Sequence, residues 1–177
     1  MQLPVINHPD YVAKINDDNK FPIKKFGALA KHLLKTKIIT KFHIPQECSI
    51  ETMKTSHSLE YINQIKNKTL DIKLQKKIGF PINDSVVRRS FVATGGTVLA
   101  SKLALDSKLA CNTAGGSHHA TFNYGAGYCV FNDVAVAANY LKNKGYAKKI
   151  LILDLDVHQG NGNSEIFKND RDVFTFS

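Results

Sequence analysis

Residues 148–162 read KKILILDLDVHQGNG: an apolar run that gives way to a polar, glycine-rich loop. The unbroken Ile-Leu stretch predicts a strand over 148–156 covered on both faces, as in a parallel sheet. On its amino side, LACNT (109–113) predicts a short strand. NDVAVAANYLKNKG (132–145) predicts a helix with an Asn/Asp start and Gly145 as its stop. On its carboxyl side, NSEIFKND (163–170) reads as a short helix and VFTFS (173–177) as a strand. Strands alternating with helices need crossover connections, so the fold class is α/β, with a parallel sheet flanked by helices. Binding sites in such sheets form in loops beyond the carboxyl ends of strands. The loops 114–129 and 156–163 hold that position.

Further out the pattern is helical. Phe26, Leu29, Leu33 and Leu34 fall at helical spacing in 21–35. Residues 50–66 read as one helix or two short ones, and IGFP (78–81) as a loop. Asp84 is placed to cap a long helix that contains Gly95-Gly96. Adjacent glycines weaken a helix in isolation, so this pair marks a close approach by another segment.

Composition narrows the function classes. The chain has 177 residues, 43% of them hydrophobic, enough for one core, and 1–177 is taken as one domain. Cys48, Cys111 and Cys129 are widely spaced and odd in number, which argues against a disulfide framework. No secretory leader is visible and no apolar run is long enough to span a bilayer, so the expected location is the cytoplasm, with no membrane partner. Residues 1–90 carry 16 Lys and Arg against 8 acids, while residues 91–177 carry 8 against 7, within a net +9. A basic half suits an anionic partner. Its lysines are scattered singly and no nucleic-acid motif accompanies them, so a nucleic-acid partner is not expected.

The chemistry gathers in two loops. Asp154, Asp156 and His158 alternate, which on a strand places them on one face. Buried carboxylates need a cation or strong donors. A carboxylate with an imidazole suits a borderline metal such as zinc. A strand end whose acids cap neighbouring helices explains the same run, and both readings stay open. His118-His119 in GGSHHA (115–120) follow a predicted strand and belong beside that run. Two imidazoles near a metal-bound water fit general acid–base work. In YGAGYCVFND (124–133), Gly125 and Gly127 admit a close backbone approach and Tyr128 offers an aromatic wall.

Taken in order, GGSHHA, GAGYCVFND and LDLDVHQGNG resemble the zinc-dependent histone deacetylase superfamily. HPDY, SHSLEYI, IGFP and RRSFVATGGT resemble its bacterial and class IV branches, and the likeness covers nearly the whole chain. The resemblance implies the arginase/deacetylase-like three-layer fold. It implies Asp156 and His158 as two of three zinc ligands, His119 as general base and His118 as its electrostatic partner. It implies Asp154 as the carboxylate that orients the first histidine and helps hold a structural potassium ion, with Ser177 as a further potassium-site residue. Gly127 is implied as a substrate-amide contact and Tyr128 as part of the acyl-lysine tunnel wall. Asn161 takes the place held by Asp in one branch; a neutral amide orients the second histidine without adding a charge. IGFPIND departs from the more usual Trp-Ser after the proline, a detail of the site's entrance. The implied reaction is hydrolysis of an amide in an acyl-lysine protein or acyl-polyamine substrate.

The family's third zinc ligand and oxyanion tyrosine come later than these motifs, and Glu165, Asp170 and Asp172 lack the right context. The expectation is a fold incomplete at its C-terminus, the N-terminal portion of a deacetylase domain, impaired alone. A truncated coding sequence, or half of a split enzyme with a separately encoded C-terminal half, would account for it. A non-catalytic binding module for acyl-amines or an anionic polymer is the alternative of another class. An arginase-like manganese hydrolase is disfavoured by the tandem histidines.

Overall fold

A computed structural model of the chain describes residues 3–177, all but the first two residues of the expected domain. Four short parallel strands, seven α-helices and one 3₁₀ turn (Pro9–Tyr11) order the described residues. Strand β1 (Val5–Ile6) pairs with β2 (Cys111–Asn112), and β3 (Ile150–Leu153) pairs with β4 (Val173–Phe176). No hydrogen-bonded ladder joins the two pairs among the described residues. β1 escaped the sequence reading because two residues carry no periodicity. Its backbone is also bridged by His43.

Between β1 and β2 lie α1 (Lys25–Lys35), α2 (Ile50–Met53), α3 (Leu59–Lys66), α4 (Ile72–Ile78) and α5 (Asp84–Ser107). The 50–66 segment is two helices, each opened by a serine: Ser49 and Ser58 accept the N–H of Thr52 and Tyr61. The cap of α5 is Asn83, whose side chain accepts from Val86 N–H at 2.9 Å; Asp84 is already the first helical residue. The paired glycines act as expected. A Cβ on Gly95 would overlap the Gln46 carbonyl, and one on Gly96 the Tyr11 hydroxyl.

The main core gathers on α5 and α3, with Tyr11, Ile62, Ile65, Val86, Val92, Phe131 and Val136 all buried. Burying each large apolar side chain contributes roughly 1.5–3 kcal/mol. Helix α6 (Asp133–Asn143) lies against α5 and shares a second cluster with α7 (Asn161–Phe167), where Ala135, Ala138, Ile152, Phe167 and Val173 meet. Strand β3 corrects an expectation. Only Ile152 is buried, while Leu151 and Leu153 are 62% and 57% exposed, so one face of this sheet is covered and the other is bare. An apolar run alone cannot say which face has a partner. Among the described residues no helix is long and apolar enough to cross a membrane.

Candidate active site

Two loops leave the carboxyl ends of β2 and β3 and meet. The first is held from behind by Asp133, a buried carboxylate at the start of α6. It accepts the N–H of Gly116 (3.0 Å) and Ser117 (2.8 Å) and the Thr97 hydroxyl (2.5 Å). The neighbouring Asn132 donates to the Ala120 carbonyl (3.1 Å) and to Asn163 (2.8 Å) while capping α6. Gly162 N–H closes the junction by donating to the His118 carbonyl at 2.8 Å. A Cβ there would overlap the His118 and Ala120 carbonyls, so this glycine lets α7 start directly on the first loop.

His57, from SHSLEYI, fixes the far end of the same loop. Its Nδ1–H donates to the Thr121 carbonyl (2.8 Å) and its Nε2 accepts from Asn132 N–H (2.9 Å). That arrangement requires the neutral ring, and burial pushes its pKa down to about 4. Sequence reasoning assigned no role to His57, Asn163 or Thr97 and read Asn132 and Asp133 only as a helix start. The signal available was position: His57 lies within a recognised motif, and Asp133 is one residue past the cap.

Of the predicted site residues, His118 and His119 stand together with ring centroids 4.1 Å apart. His118 Nδ1–H donates to Asp154 Oδ2 at 2.6 Å, and His119 Nδ1–H to Asn161 Oδ1 at 2.6 Å. Carboxylate and amide oxygens accept, so each ring carries a proton on Nδ1. The two partners differ in charge: Asp154 supports a positive ring, whereas Asn161 orients one without that support.

Asp154, Asp156 and His158 do not share a strand face as expected. β3 ends at Leu153, and two local turns follow. Asp154 Oδ1 accepts Asp156 N–H (3.1 Å), and Asp156 Oδ1 accepts His158 N–H (2.8 Å). Short acidic side chains compete for the backbone in this way and end the alternation. Asp154 is drawn inward under His118, its side chain 12% exposed, while Asp156 and His158 stay open at 52% and 73%. Asp156 Oδ1 also lies 3.1 Å from His158 Nδ1 and 3.9 Å from His118 Nε2. The backbone N–H and then the ring of His158 hold the Asp156 carboxyl below its ordinary value, so it is a carboxylate at neutral pH.

His118, His119, Asp156 and His158 line one cleft of about 430 Å³, together with Gly127, Tyr128, Phe21, Phe26, Arg89 and Cys129. Gly127 has φ +53°, and a Cβ there would meet the His119 ring, so glycine is required on both counts. Tyr128 is left-handed as well, at φ +65°. Its N–H donates to the Ile78 carbonyl (2.6 Å), and its ring packs on Phe21 and Phe80, 5.0 and 5.3 Å between centroids. Cys129 is buried, which pushes its thiol up to about 12 and keeps it out of nucleophilic chemistry. Ser177 lies elsewhere, in a second crevice with Asp154, where its hydroxyl accepts from Gly160 N–H at 2.9 Å.

Asp156 and His158 are a carboxylate and an imidazole side by side at the open cleft, the donor types zinc takes. Among the described residues no group of three His, Cys, Asp or Glu side chains is arranged to hold a metal ion. These residues therefore fit zinc as two of its ligands.

Residues 20–177 match the histone deacetylase domain. The chain belongs to that family. An uncharacterized protein of Picosynechococcus sp. is 44% identical over 179 residues, covering all of this chain and 60% of that protein. Histone deacetylase 2 of Arabidopsis thaliana is 29% identical over 170 residues, covering 87% of this chain and 42% of that protein. The crystal structure of an HDAC homologue complexed with SAHA superposes with a TM-score of 0.79 at 24% identity, over 99% of this chain and 50% of that one. The chain thus spans about half the length of the histone deacetylase relatives it matches. The structural likeness identifies the deacetylase-like α/β fold.

Proposed function

We propose that residues 1–177 form part of a single catalytic domain that hydrolyses the amide of an N-acyl-lysine or an acyl-polyamine. The observation that carries this reading is the histidine pair, each ring fixed at Nδ1 by its own partner and facing the cleft shared with Asp156 and His158. In this reading Asp156 and His158 hold zinc, which when bound polarises the acyl carbonyl and acidifies water. His119 takes the proton of the attacking water at Nε2. Its amide partner orients it without pre-charging it. His118, backed by the Asp154 carboxylate, holds positive charge and passes a proton to the departing amine. Gly127 contributes its carbonyl to the substrate amide, and Tyr128 with Phe21 walls the passage for the acyl-lysine stem. In the crevice beside Asp154, that residue and Ser177 are the side-chain oxygens a potassium ion would use.

Two donors are one short of the three protein ligands of a catalytic zinc site, whose fourth position belongs to water. The third donor and the oxyanion donor are therefore assigned to residues outside these 177, and weak zinc binding and little turnover are expected from the chain alone. In the split-enzyme version a separately encoded C-terminal half supplies them. Zinc content and hydrolysis of a fluorogenic acetyl-lysine substrate, measured with and without co-expression of the downstream polypeptide, test this. Zinc retention and turnover only in the co-expressed sample are expected. Robust turnover by the chain alone removes the requirement for further donors, and zinc-loaded complexes without turnover remove the deacetylase reading.

A further inference from the structure

Arg89, in the RRSFVATGGT segment, is a buried cation that the catalytic scheme leaves unused. It is 8% exposed. Its Nε–H donates to the Tyr11 carbonyl at 3.0 Å, and its guanidinium lies over the rings of Phe26 (4.9 Å), Phe21 and Phe80 (both 5.9 Å). Among the described residues no carboxylate lies within ion-pair distance of it. Its sequence neighbour shows the contrast: Arg88, at the surface, pairs with both Asp10 and Glu47. The acid that acts on Arg89 electrostatically is Asp133, whose oxygens are engaged by Thr97, Gly116 and Ser117. Cys129 and Tyr11, the other groups that act on it, are held as neutral thiol and phenol by burial.

A guanidinium removed from water without an anion is costly, and burial already works against its charge. Its planar fork matches a carboxylate through paired N–H donors. Arg89 lines the same cleft as His118 and His119, beside the Phe21 and Phe26 rings. We propose that Arg89 makes the buried end of this cleft a carboxylate-recognition site, for acyl chains that end in a second carboxylate. The aromatic rings take the intervening methylenes, and the guanidinium takes the terminal carboxylate while the amide carbonyl lies at the histidines. This assignment deepens the amidohydrolase reading and rests on it for the orientation of the acyl chain. The carboxylate site itself does not depend on turnover.

The test is a titration of the ¹⁵N-arginine-labelled chain without metal, read at the Arg89 Nε–Hε cross-peak, assigned by its loss in Arg89→Lys. Three probes are compared: glutaramate, with a carboxylate three methylenes from a neutral amide; glutaramide, its uncharged diamide; and acetate. Saturable shifts with glutaramate, at least about tenfold tighter than with glutaramide and tighter than with acetate, are expected. Equal response to glutaramate and glutaramide, or no response, overturns the carboxylate site. Acetate binding as tightly as glutaramate keeps the site but overturns the acyl-chain assignment, making the released monocarboxylate its ligand. If that variant does not fold, Arg88→Lys and Arg171→Lys assign the other two arginines and leave the Arg89 peak by elimination. Because no hydrolysis is measured, a failure here is separable from a failure of the deacetylase reading.

Discussion

The two ends of the molecule obey different rules. Around α5 and α3, the core side chains Ile62, Ile65, Val86 and Val92 are fully covered, and the polar groups among them are satisfied: His57 at both nitrogens, Asp133 by three donors, Ser90 and Thr94 by carbonyls four residues back. At β3 and β4 only one face is packed. Leu151, Leu153, Phe174 and Phe176 stand exposed on the strands, and Leu155 and Val157 on the turn beyond are 84% and 92% exposed. The residues proposed for catalysis sit at the junction, with the histidine loop anchored in the first region and the Asp156–His158 turn extended from the second. The difference teaches that the first region fixes the base geometry by itself, while the second offers donors on a surface that its own packing does not finish.

Matched truncations should separate the two regions most widely. Ile62→Ala, in the covered core, is expected to cost about 2–5 kcal/mol in urea unfolding. A cost near zero would mean this core is no better packed than the bare sheet. The next effect is acid lability assigned to His57. Above its ordinary pKa of 6.5 the ring is neutral in both native and unfolded chains. Between 6.5 and about 4 only the unfolded ring takes a proton, so stability falls with acidification, by up to about 3 kcal/mol at the low end. His57→Gln should flatten that part of the stability-versus-pH curve, and an unchanged curve would assign the lability elsewhere.

At the junction, Gly127→Ala pushes a methyl into the His119 ring and strains the backbone. Hydrolysis by the complete enzyme should fall about 10²-fold, with little change in melting temperature. A large loss of thermal stability would make Gly127 a folding residue before a catalytic one. The smallest effect belongs to the bare face: Leu153→Ala should change stability by less than about 0.5 kcal/mol. A cost comparable to Ile62→Ala would show that this face is covered in solution, and sedimentation would tell whether a second copy covers it.

Much of the architecture was legible because local chemistry announces it. Asn132 as a helix start, Gly145 as a stop and Gly95-Gly96 as a close approach all act through backbone geometry that any context must obey. The histidine pair and the Asp-x-Asp-x-His run could be named as chemistry for the same reason: residue type and spacing limit what they do. The expectation of one strand face for Asp154, Asp156 and His158 failed because side-chain turns ended β3 three residues early, and periodicity does not register that competition.

The sequence by itself determined the family and the α/β alternation and supplied the candidates for the reacting groups, since these follow from residue types at short spacing. Only the tertiary structure decided which nitrogen of each histidine is tied to a partner, that Asp154 supports His118 while Asp156 faces the cleft, and that Arg89 is buried without an ionic partner among the described residues. Those facts depend on contacts between residues 30 to 80 positions apart, such as His118 with Asp154 and Arg89 with Tyr11. Spacing along a chain carries no record of such contacts until the chain packs.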